Sequence, residues 1–189
     1  MGIYTLLIAL LCVSTGTFAV GVVTGGKLGS CYKKDVALKT SFVFTIVHIL
    51  AFSLAYILGK LLLMWVTPAN DWIIFSFLFS IAIQFMLESV EKSPSLNFTD
   101  IVQNTYLIKV AMQVAMPTFF LGFILAISTI SNLLLLALFV SGLLTFVSVA
   151  LGIVHGNTFN KTVLHSRLLL VAGIIILILA IRFLIVINA

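Results

Sequence analysis

Six apolar runs, each of roughly the 20 residues that a bilayer core requires, leave this chain few ways to fold. They lie near residues 3–24, 37–66, 72–90, 106–127, 132–154 and 166–187. The connections are "GGKLGSCYKKD", "TPAND", "EKSPSLNFTDIVQN", "STISN" and "HGNTFNKTVLHS", marked by Gly, Pro and Asn, and none is long enough for a domain. Only 8% of the 189 residues are charged, against about 25% in soluble domains. The expected fold is therefore all-α and integral to the membrane, with six transmembrane helices. The opening "MGIYTLLIALLCV" has no basic n-region and reads as a retained first helix.

In such a chain the net charge of +5 bears on orientation and lipid headgroups, not on nucleic acid. Lys27, Lys33, Lys34, Lys39, Lys92, Lys109, Lys161 and Arg167 hold or adjoin the odd-numbered connections, and the other side has only Lys60 and Arg182. The positive-inside rule then puts the odd connections in the cytoplasm and both termini outside a cell inner membrane.

The first and fourth spans share a pattern. "GTFAVG" (Gly16 to Gly21) and "PTFFLG" (Pro117 to Gly122) each read as a helix breaker, Thr-Phe, two apolar residues and Gly, at a constant offset of 101 residues. Three spans separate them, so the second copy crosses in the opposite sense. That predicts two inverted three-helix repeats, residues 1–94 and 95–189, with a site at their interface.

Polar side chains within a bilayer need protein or water to face. At helical spacing they form stripes: Ser14, Thr17 and Gly21; Ser41, Thr45 and His48; Ser76, Ser80, Gln84 and Glu88; Lys109, Gln113 and Pro117; Ser141, Thr145, Ser148, Gly152 and His155. The sixth span has none, so five striped helices are expected around a common interior, with the sixth largely in lipid. Plain packing is the default role of any single Ser or Thr, since such stripes also let helices approach and bond at about 0.6 kcal/mol per contact. His48, Gln84 and Glu88 are harder to place in lipid. A lone His48 ligates a metal, relays a proton or simply bonds a neighbour. Glu88 pairs with Lys92 or is solvated near the span end. Pro117 frees a backbone carbonyl one turn earlier, near Gln113, and Gly16 permits close approach or local unwinding.

No His/Cys/Asp/Glu cluster has metal-ligand spacing, no phosphate-binding loop is present, and the acids are too few for a catalytic triad. Cys12 and Cys31 form no disulfide framework. Neither an enzyme nor a bound cofactor is indicated.

The chain resembles the MntP-type manganese exporter family, small six-span proteins related to the LysE amino-acid exporters. The resemblance is carried by "LLCVSTGTFAVGVVTGGKL", "ALKTSFVFTIVHILAFSLAYILG", "WIIFSFLFSIAIQFMLES" and "VAMQVAMPTFFLGFILAISTISNLLLLALFVSGLLTFVSVALGIVHG". Together with the polar stripes, it points to a pathway through Ser14, Gly16, Thr17, Thr45, His48, Gln84, Glu88, Gln113, Pro117, Thr118 and Thr145. It also implies site aspartates that fall here on Gly16 and Pro117, a glutamate on His48 and an arginine on Gln84; only Glu88 keeps its acid. Mn2+ favours carboxylates and water, so manganese binding does not carry over residue by residue and the metal ligands stay unassigned. Two readings follow. One is an exporter of a metal cation or other small solute by alternating access. The other is a non-transporting member that serves as a structural or regulatory subunit of a larger membrane complex. The expected partners are the lipid bilayer, a small solute or divalent cation, and a homo-oligomer or larger membrane complex.

Overall fold

The computed structural model describes residues 3–26, 33–63, 70–90, 104–128, 133–156 and 161–188. The expectations resting on Lys27, Cys31 and Lys92, and on the side chains of Lys33, Lys161 and His165, lie outside the described residues. The helices are α1 (Ile3–Gly25), α2 (Lys33–Leu63), α3 (Asn70–Val90), α4 (Asn104–Val114), α5 (Met116–Ile127), α6 (Leu134–His155) and α7 (Lys161–Asn188). Five are long and apolar enough to cross a membrane, and α4 with α5 makes a sixth span bent by 45°. The fold is an all-α membrane bundle.

The bend has a covalent cause. Pro117 has no N–H to give to the Gln113 carbonyl, and its ring fits only the opening of a helix. The backbone stays α-like at Ala115, with φ −80° and ψ −7°. The Ala115 N–H is shared between the Ala111 and Met112 carbonyls at 3.0 and 3.2 Å, and Phe119 resumes the ladder on the Ala115 carbonyl at 2.9 Å. The expected fourth span is thus two short helices. At Gly16, by contrast, α1 runs on unbroken. A Cβ there would meet only the Phe85 ring, at 3.4 Å, and a Leu169 methyl, so Gly16 neither unwinds the helix nor supports a close approach.

Close approach occurs elsewhere, at two glycine crossings. On α1 and α6, "GVVTG" (Gly21 to Gly25) lies along "GIVHG" (Gly152 to Gly156). A Cβ on Gly152 would stand 2.6 Å from the Phe18 carbonyl oxygen and 2.9 Å from Gly21 Cα. Small residues four apart let membrane helices touch backbone to backbone in this way. On α2 and α5, a Cβ on Gly122 would collide with the Phe52 carbonyl, and one on Gly59 would sit 2.6 Å from Ala126 Cβ. In both pairs the contacts advance in the same direction along the two chains, so α1 runs parallel to α6 and α2 parallel to α5. Across α2 and α6 they advance oppositely: the Phe42 ring meets Phe146 at 5.9 Å, while Thr45 and Ile49 meet Gly142. It follows that α1 and α5 run in opposite senses.

α1 is the enclosed centre. Within the membrane-length part of each helix, 72% of α1 is buried, against 28–33% of α2, α3, α6 and α7. α7 packs on α3 and α1 through buried Leu169, Ala172, Ile176 and Ala180. A third of this span is buried, as in α3, so it lies no more in lipid than the other outer helices; the buried face is apolar, and near its start Ser166 donates to the Ser89 carbonyl of α3. The α3 stripe is corrected. Ser76 and Ser80 are exposed, and each hydroxyl donates to the carbonyl four residues back, at 2.8 Å. A hydroxyl satisfied by its own helix can face hydrocarbon. Lys109 and Gln113 on α4 are likewise exposed.

Gly152→Ala is expected to lower the melting temperature of the detergent-solubilised protein by several degrees. Gly16→Ala should leave it unchanged or slightly raised, since Ala favours helix by up to about 1 kcal/mol. A thermal melt of both variants checks this.

Candidate functional site

The apolar interior is divided. One cluster joins Leu6, Leu10, Phe52, Leu78, Ile124, Ala137 and Ile176; a second joins Val20, Ala37, Phe44, Leu107, Val110, Val149 and Ile153. Along α6, Ala137 belongs to the first and Val149 to the second, and buried Ser141 and Thr145 lie between them. Over the corresponding stretch α2 supplies buried His48 and half-buried Thr45; buried Thr40 and Ser41 follow about one turn away, between Ala37 and Phe44 of the second cluster. A polar band therefore crosses the bundle between two hydrophobic cores.

His48 is fully buried near the middle of α2. Its Nδ1 shares a hydrogen bond of 2.8 Å with Thr118 Oγ1, and its ring stacks on Phe44 with 6.4 Å between centroids. Thr118 follows Pro117, so the bend that proline imposes positions the histidine's partner. The other imidazole nitrogen, Nε2, has no partner, nor have Thr40 Oγ1, Ser41 Oγ and Thr45 Oγ1. Ser41, Thr45 and His48 are spaced four and three apart and share one face of α2.

Of the residues singled out in the sequence, the structure joins His48 to Thr118 and brings Thr45 against α6 at Gly142, one turn from Thr145. Ser14 and Thr17 are buried on α1, their hydroxyls donating to the Leu11 and Ser14 carbonyls at 2.7 and 2.8 Å. Gly16 faces Phe85 and Leu169, and Pro117 is buried at the bend. Gln84 and Glu88 pair within α3, Gln84 Nε2 donating to Glu88 Oε1 at 2.9 Å, and Gln113 is exposed. Thr40 is the addition; Ser41 and Ser141 belong to the polar stripes but not to the pathway expected from the sequence. Ser141 had a legible signal: Ser41, Thr45 and His48 recur 100 residues later as Ser141, Thr145 and Ser148.

Among the described residues no three His, Cys, Asp or Glu side chains are placed to hold a metal ion. The band offers hydroxyls and one imidazole, which exchange hydrogen bonds but supply no fixed negative charge.

Six spans, five of them around the enclosed α1, with a neutral polar band in the interior, define a multi-pass α-helical membrane protein. The family model described as "Mntp: Putative manganese efflux pump" matches residues 31–184, most of the chain, and the chain belongs to that family of membrane transporters rather than to an enzyme family. The matched stretch takes in α2 to α6 and most of α7, and begins after α1. No curated protein and no solved structure matches the chain.

Thr118→Val leaves both imidazole nitrogens unpartnered in the interior. It should destabilise the protein by about 1–2 kcal/mol, above the roughly 0.6 kcal/mol average for a membrane hydrogen bond. Thr118→Ser should restore most of the loss, as read by denaturant titration in bicelles.

Proposed function

We propose that this chain exports a small solute of the manganese type by alternating access, with the cargo meeting the polar band between α2, α5 and α6. The observation that carries the reading is the set of buried, unpartnered polar atoms on Thr40, Ser41, Thr45 and His48, inside a bundle of the Mntp family. Buried polar groups without partners are rare, and a passing cargo or its water would supply what they lack. Mn2+ fits such a band only with most of its water retained, because neutral donors do not offset a bare divalent charge in a low dielectric. The exposed Gln113 and the Gln84–Glu88 pair on α3 stand apart from this route.

The inverted-repeat reading is supported by how the helices pair. Exchanging α1 with the bent span, α2 with α6 and α3 with α7 turns the α1–α6 contact into α5–α2, and α1–α7 into α5–α3, all of which occur. The α2–α6 and α3–α7 contacts map onto themselves. Location in a cytoplasmic membrane with both termini outside is supported by the basic residues of the odd connections. The subunit reading keeps one specific support, the neutral residues Gly16 and Pro117 where the resembled family carries acids.

The test is ⁵⁴Mn2+ flux in proteoliposomes of the purified protein. Wild type should move the ion, and His48→Ala and Thr45→Val should each slow it at least tenfold. Absence of flux together with stable co-purification of a membrane partner supports the subunit reading instead.

A further inference from the structure

Hydroxyls on α1 are settled within their own helix: Ser14, Thr17 and Thr24 donate to carbonyls three or four residues back at 2.7–2.8 Å. Any helical Ser or Thr can make this bond. Thr40, Ser41 and Thr45 on α2 do not, although their own carbonyls are equally near. Ser41 and Thr45 share a face of α2 with His48, whose Nε2 also goes unpartnered.

That face lies on the α2–α6 seam. Thr45 Cγ2 and Ile49 Cδ1 stand closest to Gly142, Phe42 packs edge-on against Phe146 at 5.9 Å, and α6 contributes buried Ser141 and Thr145. The seam differs from the other long contacts of the same helices. α1 meets α6, and α2 meets α5, backbone against backbone at glycine, whereas α2 meets α6 through side-chain tips. A backbone crossing loses dense contact on parting. A seam with unmet hydrogen bonds gains them when water enters.

We propose that the α2–α6 seam is the cargo route of this chain, with Ser41, Thr45, His48, Ser141 and Thr145 as its walls. It opens by movement of the α1–α6 pair against the α2–α5 pair. The moving bodies are then helix pairs drawn one from each half of the sequence, not the halves themselves. This rests on the transporter reading and adds where the bundle parts and which joints stay closed.

The experiment uses the full chain in proteoliposomes with Cys12→Ala and Cys31→Ser as background. Single cysteines are placed on the seam (Thr45→Cys, Thr145→Cys) and at the crossings (Val22→Cys, Ala126→Cys). A small water-soluble methanethiosulfonate reagent should modify the seam cysteines at least tenfold faster than the crossing cysteines. Equal rates, or faster reaction at the crossings, overturn the proposal. A disulfide between Phe42→Cys and Phe146→Cys should stop ⁵⁴Mn2+ flux until reduced, and flux undiminished by the closed disulfide also overturns it. Reactive seam cysteines without Mn2+ flux would leave the seam standing and remove the manganese-transport reading. Flux with silent seam cysteines would do the reverse.

Discussion

A polar atom sealed inside a membrane protein must find a partner, because neither hydrocarbon nor an apolar core supplies one. The rest of this structure turns on four such atoms, on Thr40, Ser41, Thr45 and His48, that have none. Thr45 and His48 lie where the apolar interior divides into two clusters, with Ser41 and Thr40 about one turn away beside the second. The Thr118–His48 bond settles one nitrogen of the imidazole and leaves the other without a partner. A neutral, partly unsatisfied centre suits a guest that brings its own hydrogen bonds and suits a bare metal ion poorly.

Two devices hold that centre in place. Glycine lets α1 ride on α6 and α5 ride on α2 at backbone distance, joining helices from different halves of the chain. Proline then bends the fourth span so that Thr118 reaches His48. The bend and the crossings serve one geometry: tight joints on either side, and between them a seam made of side chains.

Much of this is legible in the sequence. Long apolar runs with few charges admit little besides a helical membrane bundle, and Pro117 announced the break in the fourth span. His48 stood out because an imidazole in lipid requires a partner. Other features were hidden, for physical reasons. A hydroxyl satisfies itself on its own helix or reaches across a seam with equal ease, so Ser76 and Ser80 looked like interior residues and prove to face outward. The same ambiguity kept Thr40 out of view. Glycine's role depends on what lies opposite: Gly16, central to the repeat pattern, faces only the ends of side chains, while Gly152 and Gly122 carry the crossings. The lack of a stripe on α7 reads as lipid exposure, and apolar contact with α3 leaves the same trace.

The central claim is that the band around Thr45 takes up water while the apolar interior stays dry. The most direct measurement is electron spin echo envelope modulation of a nitroxide at position 45, in lipid vesicles equilibrated with D2O, beside the same label at Ile124 in the buried core. A deuterium modulation at position 45 several times deeper than at position 124 is the predicted result. Equal, shallow modulation at both positions would mean that the seam is dry packing, and would contradict the account.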